Sequence, residues 1–379
     1  MSYEHNTTQH NTTQLASDCI NVTIIGGSGF VGTRLTKRLL DKGYSVKIAD
    51  KRKSHTYPDL WVRCDVRNSS EAKDEYPESL TDADTAPGAA KEASEAMSMM
   101  SLEEVLKGSD VVINLAAEHR DDVSPKSLYD QVNVEGATHV CDACSKLGIH
   151  KIIFTSSVAV YGEAPCGTDE SGKINYFNDY GRTKYLAEGR YREWVAKDSS
   201  NSLVIIRPTV IFGEQNRGNV YNLLNQIAKG KFPMVGKGTN RKSMNYVENV
   251  AAFLEYCLTH DTEGGEHLYN YCDEPAYDMN HLVLDCYKAL GKNKTHLFHW
   301  PFGLAYFGGK CFDLLAKIMH RKLVISSVRV KKFTMDTYFT SSNIKKTDFT
   351  APVSLQEGLQ KTIDYEFVKK VQGHTFRCE

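Results

Sequence analysis

The sequence predicts an α/β protein built on a doubly wound parallel β-sheet, with a smaller substrate-binding portion at the C-terminal end. Three observations predict this. A β-rich run at residues 20–25 leads directly into a glycine-rich turn. From Phe30 the apolar residues take a helical spacing that ends at Gly43. Strand-like and helix-like segments then alternate as far as Arg207, which is typical of a parallel sheet covered by helices on both faces.

The elements follow one another in the order that this fold requires. A second strand at residues 45–49 ends in Asp50, so that strand, glycine turn, helix, strand and terminal acid form a βαβ unit, the core of a Rossmann domain. A third strand ends near Cys64. The further strands are predicted at residues 110–117, 151–157 and 202–207, and the helices between them at about 128–147 and 180–197.

We therefore divide the chain into three parts. Residues 1–19 contain a polar five-residue repeat and are predicted to be a disordered tail. Residues 20–212 form the dinucleotide-binding domain, in which 67–101 are predicted to be a surface insertion, an interpretation that we favour over a lid. Residues 213–379 form mainly the substrate-binding portion, interleaved with the sheet.

Composition excludes several classes of function. The chain has 379 residues, of which 41% are hydrophobic and 25% charged, as in an ordinary globular protein. Its formal net charge is −1, so it has no overall positive charge that would attract nucleic acid. The ten cysteines lack a disulfide-framework spacing, and the one close pair, Cys141 and Cys144, has no partners that complete a metal site. Without a signal peptide or a transmembrane segment, we expect a cytoplasmic protein with reduced thiols and no metal.

The glycine turn predicts a dinucleotide site. Gly26, Gly29 and Gly32 have the spacing that brings backbone close to a pyrophosphate, and the following helix presents free N–H groups to the anion. Asp50, 24 residues beyond Gly26, is placed to accept hydrogen bonds from the adenosine ribose. An acid there favours NAD over NADP, although Lys51 and the next residue are cations that could partner a 2′-phosphate.

A second motif predicts proton transfer. Tyr180 and Lys184 are four residues apart, so on a helix their side chains share one face, where the ammonium can favour the phenolate. A phenol that loses its proton readily is a general base. Beside a nicotinamide ring, such a base suits an enzyme that takes a proton from an alcohol while a hydride leaves the same carbon.

Five motifs together resemble the extended short-chain dehydrogenase/reductases, particularly the NAD-dependent sugar-nucleotide epimerase/dehydratase branch. They are the glycine turn, Asn114-Leu-Ala-Ala117, Ser156-Ser157-Val-Ala-Val-Tyr-Gly162, Tyr180-X-X-X-Lys184 and Arg207-Pro-Thr-Val-Ile-Phe-Gly213. The resemblance covers about residues 20–255. It implies that Tyr180 is the acid/base, that Lys184 lowers the pKa of Tyr180 and holds the nicotinamide ribose, and that Ser157 hydrogen-bonds the reacting oxygen.

The predicted site residues fall into two further groups. The cofactor residues are Gly26, Gly29, Phe30, Val31, Gly32, Asp50, Asp65, Val66, Leu115, Ala116, Ala117, Tyr180, Lys184, Pro208 and Val210. The substrate residues are Ser157, Val158, Ala159, Tyr161, Arg241 and Lys242. For Tyr161 the alternative is packing in the core. In the second group the two adjacent cations suit the diphosphate of a nucleotide-sugar, although they also suit solvent.

Val158 and Ala159 narrow the reaction. The 4,6-dehydratases that this chain resembles carry an acidic residue there for the elimination of water, so dehydration is disfavoured. We predict a 4-epimerase or a net oxidoreductase that acts on a nucleotide-sugar, as a homodimer. Two alternatives stay open: a hydroxysteroid- or sterol-type dehydrogenase in which residues 300–322 contact a membrane interface, and a non-catalytic dinucleotide sensor.

Overall fold

The computed structural model describes residues 19–67, 99–120, 123–261, 263–319 and 327–376. The predicted tail at 1–19 lies almost wholly outside these residues, as does most of the predicted insertion at 67–101.

The chain forms a seven-stranded sheet in which every neighbouring pair is parallel, which confirms the predicted fold class. Its strands in chain order are β1 (Asn21–Ile25), β2 (Ser45–Asp50), β3 (Trp61–Arg63), β4 (Val111–Asn114), β5 (Lys151–Thr155), β6 (Ser202–Pro208) and β11 (Gly265–Tyr271). Their spatial order is β3-β2-β1-β4-β5-β6-β11. The last strand comes from the C-terminal part of the chain and pairs with β6.

Six short strands form three two-stranded sheets beside the main one. They are β7 (Val210–Phe212) with β10 (Met244–Tyr246), β9 (Arg241–Lys242) with β12 (Tyr277–Asp278), and β8 (Met234–Val235) with β13 (His299–Trp300). Apart from β7, these short strands all belong to the chain after residue 213.

Eleven α-helices are found in the described residues. They are α1 (Phe30–Asp41), α2 (Leu102–Leu106), α3 (Ser127–Tyr129), α4 (Gly136–Leu147), α5 (Asp179–Val195), α6 (Asn219–Ala228), α7 (Val247–His260), α8 (Met279–Ala289), α9 (Phe302–Met319), α10 (Ser327–Thr334) and α11 (Leu355–Ile363). A π-helical turn, Asp130–Glu135, joins α3 to α4, and a 3₁₀ turn, Val158–Tyr161, follows β5. No described helix is both long enough and apolar enough to cross a bilayer.

The sheet is buried because both of its faces are covered. On one face α4 and α5 pack over the strands, and on the other α1 and α7 do so. The strands β4, β5 and β6 are consequently apolar along nearly their whole length, as buried parallel strands are. A third apolar cluster, around Phe212, Leu224 and Leu282, lies mainly in the C-terminal part of the chain.

Strand order reverses between β1 and β4, and this point positions the site. The chain runs outward from β1 through β2 to β3, then crosses back to β4 and continues in the opposite direction. Loops that leave the carboxyl ends of the two central strands therefore diverge and leave a crevice. In open α/β sheets this crevice is the usual place for a ligand.

Candidate active site

Three glycines shape the turn between β1 and α1. Gly26 has φ +78°, and a Cβ there would lie 2.8 Å from the backbone nitrogen of Ala116. A Cβ on Gly32 would lie 2.5 Å from Gly27 Cα, so only glycine lets the helix pack this closely on the turn. Gly29 is the N-cap of α1 and no side chain caps the helix there. The first N–H groups of α1 are thus available to an anion.

Asp50 lies at the carboxyl end of β2 and is tied to the glycine turn. One carboxylate oxygen accepts the Ser28 N–H at 3.1 Å, and the other accepts the Arg52 N–H at 3.0 Å. Burial raises the pKa of Asp50, while these two hydrogen bonds oppose the increase. The acid therefore lies beside the turn, as the sequence predicts for a group that meets the adenosine ribose.

Ser157, Tyr180 and Lys184 converge beyond β5. Ser157 directly precedes the 3₁₀ turn; its hydroxyl accepts the Ala159 N–H at 3.1 Å and lies close enough to the Tyr180 phenol to lower the pKa of that group. Tyr180 lies in the first turn of α5, which the Asn178 side chain caps by accepting the Gly181 N–H at 2.9 Å. One turn later the Lys184 side chain is buried, with Nζ 4.3 Å from the Phe154 ring centroid.

The protonation of this triad differs from the expectation in one respect. Burial raises the pKa of Tyr180, and the Ser157 hydroxyl only partly offsets the increase. Burial also lowers the pKa of Lys184, to about 7. The expectation that Lys184 lowers the pKa of Tyr180 is thus wrong for the protein chain alone, because burial disfavours both the phenolate and the ammonium. The Ser157 hydroxyl is the group that favours the phenolate here.

A buried ion pair fixes α5 on the sheet. The Glu188 carboxylate lies one turn after Lys184 and accepts from Arg207 on β6 through two atoms, Nε at 2.8 Å and a terminal nitrogen at 2.5 Å. Both side chains are almost fully buried. Glu188 also accepts from the Ser156 hydroxyl at 2.6 Å. Since Ser156 precedes Ser157, this one carboxylate connects the Tyr180 helix with the Ser157 turn.

Two buried asparagines add further links to α5. Asn133, in the π-helical turn, donates to the Thr183 hydroxyl at 2.9 Å and pairs with the backbone of Glu118. Asn114, at the end of β4, donates to the Tyr191 hydroxyl at 2.7 Å. The helix that carries the candidate base is therefore held from both neighbouring elements, and a buried polar network of this kind specifies one position of the helix.

The remaining predicted cofactor residues lie at the carboxyl edge of the sheet, as the topology requires. Leu115, Ala116 and Ala117 follow β4 and are half-buried. Pro208 ends β6 and is buried, whereas the apolar side chain of Val210 is 42% exposed beside it. An exposed valine at this edge leaves an apolar surface that a flat ring can cover.

Three other predicted cofactor residues already have partners within the chain. The Asp65 carboxylate forms a buried ion pair with Arg67 at 2.8 Å; although burial raises its pKa, the Arg67 hydrogen bonds outweigh burial and lower it. Val66 is buried close to Gly136. The Phe30 ring packs against Phe376, 5.6 Å between centroids. A ligand can therefore contact these three residues only through their backbone groups and the exposed edges of their side chains.

The predicted substrate residues separate in the structure. Val158 and Ala159 are half-buried in the 3₁₀ turn beside Ser157. Tyr161 is fully buried: its hydroxyl donates to Asn270 at 2.8 Å and accepts from Arg207 at 2.7 Å. The prediction that Tyr161 lies at the substrate pocket is therefore wrong, because the ring and its hydroxyl complete the core around Arg207.

Arg241 and Lys242 form β9, away from the main sheet. The Lys242 ammonium donates to the Met335 carbonyl at 2.6 Å, and burial lowers its pKa to about 8. Arg241 is exposed, and its guanidinium lies over the Tyr338 ring at 4.2 Å.

A cavity of about 480 Å³ opens nearer α5, lined by Lys126, Tyr129 and Arg182 among others. None of the triad lines this cavity, so we do not assign the reacting group to it.

Comparison with known proteins agrees with this geometry. The model of the NAD dependent epimerase/dehydratase family matches residues 22–272. The chain belongs to this family. The family contains enzymes that use NAD, and this confirms the predicted cofactor and the prediction that the chain is an enzyme rather than a non-catalytic sensor.

Individual family members are similar over most of their length. The chain is 46% identical over 349 residues, 92% of this chain and 96% of the other, to an N-acetyl-alpha-D-glucosaminyl-diphospho-ditrans,octacis-undecaprenol 4-epimerase of Escherichia coli O157:H7. It is 26% identical, over 90% of this chain and 94% of the other, to a UDP-glucose 4-epimerase of Vibrio cholerae. The solved structure of a UDP-glucuronic acid 4-epimerase of Bacillus cereus covers 94% of this chain and all of its own, with a TM-score of 0.65 and 18% identity.

The crevice of this family member fits a dinucleotide. The glycine turn forms a cradle that a single Cβ would fill, and the uncapped N-terminus of α1 offers backbone donors to a pyrophosphate. Asp50 lies where a ribose would meet it, and Val210 offers an apolar wall at the other end of the same sheet edge. The acid after β2, the donors after β1 and the apolar wall after β6 lie in this order along the sheet edge, which is the order of the adenosine ribose, the pyrophosphate and the nicotinamide in NAD.

Sequence reasoning missed the residues that support the triad. In the sequence Glu188 is one of several charged residues on a predicted helix, and the motif that contains Arg207 assigns no role to the arginine. The sequence nevertheless indicates the pair, since an arginine inside an otherwise apolar buried strand requires a buried acid as its partner. The spacing of Glu188, four residues after Lys184, places that acid on the inner face of the same helix.

We predict that Glu188→Gln destabilises the enzyme strongly. The substitution leaves the buried Arg207 guanidinium without its counter-charge, which costs about 3–5 kcal/mol of the free energy of unfolding. Chemical denaturation measures the loss. Glu266→Gln is the matched control, because it removes the partly exposed ion pair of Arg192 and costs at most about 1 kcal/mol. Equal losses in the two variants would contradict this role of Glu188.

We predict that Tyr180→Phe lowers turnover about 10²- to 10⁴-fold, the usual contribution of a general acid or base, while the variant remains folded. Steady-state kinetics and circular dichroism measure the two quantities. Tyr176→Phe is the control, since Tyr176 is exposed just before α5 and contacts the Tyr185 ring. A Tyr180→Phe enzyme with full turnover would exclude the phenol as the base.

Proposed function

We propose that the protein is a 4-epimerase of an N-acetylhexosamine joined through a diphosphate to a polyprenyl carrier. The observation that carries the proposal is 46% identity, over nearly the full length of both chains, to an epimerase whose name specifies such a substrate. The predicted nucleotide carrier is the second candidate, supported by the 26% identity to a UDP-glucose 4-epimerase.

The triad supports chemistry at a single carbinol carbon. Ser157 lies close to the Tyr180 phenol, so a sugar hydroxyl that reaches both groups can lose its proton to the phenol while the serine orients the oxygen. When bound, NAD supplies the hydride acceptor and the hydride donor. To the buried Lys184, one turn after Tyr180, we assign the hold on the nicotinamide ribose rather than a change in the pKa of the phenol.

The turn after Ser157 supports epimerisation over elimination. The side chains at 158 and 159 are a valine and an alanine, both half-buried. Removal of water from a keto sugar needs an acid or base beside the leaving hydroxyl, and neither side chain can exchange a proton. The residues of this turn therefore suit a reaction in which the same hydrogen leaves and returns at one carbon.

Arg241 and Lys242 are the candidates for holding the diphosphate. Arg241 is exposed on β9, and a guanidinium can form two parallel hydrogen bonds to phosphate oxygens. Lys242 is more buried and donates to the Met335 carbonyl, which fixes the position of its ammonium, and the positive charge there can attract a diphosphate. Either carrier, lipid or nucleotide, presents the same diphosphate to this pair.

We also propose that the enzyme is a cytoplasmic homodimer that pairs through α5 and its neighbours. The outer face of α5 supports this, because it presents Leu186, 40% exposed, between charged residues that include Arg190 and Glu193. An apolar residue on such a face is compatible with burial against a second copy.

The substrate is tested by supplying the same sugar on two carriers. Purified enzyme without added NAD is given N-acetylglucosamine as its polyprenyl diphosphate in detergent, and separately as UDP-N-acetylglucosamine, and the N-acetylgalactosamine product is measured by chromatography. We expect conversion of the lipid-linked sugar at a rate well above that of the nucleotide-linked sugar. Tyr180→Phe serves as the inactive control.

Two outcomes would contradict the proposal. Faster conversion of the UDP-linked sugar would show that the carrier is a nucleotide. Conversion that consumes stoichiometric added NAD would show a net dehydrogenase, such as an enzyme of the hydroxysteroid or sterol type, instead of an epimerase.

A further inference from the structure

An unusual concentration of apolar side chains is exposed between residues 298 and 319. Fourteen large hydrophobic side chains are exposed among the described residues, and half of them lie in this short segment. We call them the aromatic surface: Phe298, Trp300, Phe302, Leu304, Phe307, Phe312 and Met319. Leu304 and Phe307 are 63% and 69% exposed, far more than isolated surface hydrophobics need to be.

Several side chains in and beside the aromatic surface contact or adjoin one another in pairs. Phe298 and Trp300 touch edge to face at 5.6 Å on and beside β13, and Phe302 stacks on Tyr306 at 5.7 Å at the start of α9. Leu304 and Phe307 are three residues apart, so they share one face of that helix. The helix packs on α10, which leaves this apolar side uncovered among the described residues.

The sequence that contains the aromatic surface is strongly basic. Between residues 291 and 334 the sequence has nine lysines and arginines and one acid, Asp313, a net charge of +8 in a chain whose total is −1. The single acid is engaged, since Asp313 accepts from the Ser327 hydroxyl at 2.5 Å. Lys310 and Lys317 are exposed on α9 itself. Aromatic side chains flanked by lysines are the composition of helices that lie in the headgroup region of anionic membranes.

The aromatic surface is connected to the candidate diphosphate residues. The strand β13, which carries Trp300, pairs with β8, and a cavity of about 250 Å³ lies between Phe302, Thr334 and residues 235–240. The chain then runs from Thr334 at the end of α10 to Met335, whose carbonyl accepts the Lys242 ammonium. Only a few residues thus separate the exposed aromatic side chains from the cations of β9.

We propose that the aromatic surface docks on a bilayer that contains anionic phospholipid, with α9 lying in the headgroup region. This inference rests on the proposed function, because a polyprenyl tail stays in the bilayer while its diphosphate and sugar must reach the site. Docking through this face turns β9 toward the membrane surface from which the substrate projects. The lysines supply the attraction to anionic headgroups, and the aromatic and leucine side chains supply the insertion.

Vesicle binding tests the docking directly and does not depend on activity. The full-length protein is sedimented with vesicles of phosphatidylcholine, with and without phosphatidylglycerol. We expect binding that requires phosphatidylglycerol and weakens with salt. Leu304→Asp/Phe307→Asp should weaken it more than about tenfold, since two apolar side chains no longer insert. Lys310→Gln/Lys317→Gln should also weaken it, by about fivefold for each lysine removed.

A matched control and a solution measurement distinguish membrane docking from self-association through the same surface. Leu40→Asp/Val371→Asp changes two exposed apolar residues elsewhere and should bind vesicles like the wild type. Light scattering should give the same mass, that of the proposed dimer, for the wild type and for Leu304→Asp/Phe307→Asp. A lower mass for that variant would show that the surface joins two copies of this chain, and would overturn the proposal.

Activity measurements distinguish failure of the docking from failure of the proposed function. Leu304→Asp/Phe307→Asp should keep wild-type turnover on a short-chain, water-soluble polyprenyl diphosphate sugar and lose it on the same sugar embedded in vesicles. Wild-type protein that converts the soluble substrate but does not bind anionic vesicles would overturn the docking alone. Protein that binds vesicles but converts neither substrate would overturn the proposed function alone.

Discussion

The buried ion pair between Glu188 and Arg207 is the interaction on which the rest of the site depends. Two buried charges are stable only when they pair closely and their other hydrogen-bonding atoms also find partners. Here Arg207 donates two hydrogen bonds to Glu188, Glu188 also accepts from Ser156, and Arg207 also donates to Tyr161. The pair joins the helix of Tyr180 and Lys184 to the central strands of the sheet. A base that must lie within hydrogen-bond reach of one sugar oxygen needs that rigidity.

Much of the fold could be predicted because it depends on local patterns. Buried parallel strands, a glycine turn and an acid after the second strand are readable from the sequence, and the topology then brings their carboxyl ends to one edge. The ion pair that supports the site was not predicted, because Glu188 and Arg207 are 19 residues apart and meet only in the folded protein. Only the need of Arg207 for some buried acid could be inferred from its apolar strand. Tyr161 was misplaced for the same reason: its hydroxyl has partners on β6 and β11.

In the proposed reaction, the candidate active site and the aromatic surface have separate roles and lie in different parts of the chain. The main sheet carries the candidate residues for cofactor binding and proton transfer. The C-terminal portion carries the cations of β9 and the exposed aromatic side chains, which relate to what the sugar is attached to. A substrate that joins a water-soluble sugar to a membrane tail requires both parts on one protein, and the short path from Lys242 through Met335 to α10 joins them.

The fate of the hydrogen at C4 tests the central claim most directly. The lipid-linked N-acetylglucosamine is prepared with deuterium at C4, converted in ordinary water without added NAD, and the product is examined by NMR and mass spectrometry. Oxidation and reduction at one carbon, with the hydride held by the enzyme between the two steps, predict that the N-acetylgalactosamine keeps the deuterium at C4. Replacement of that deuterium by hydrogen from solvent would contradict hydride transfer at the Ser157, Tyr180 and Lys184 site.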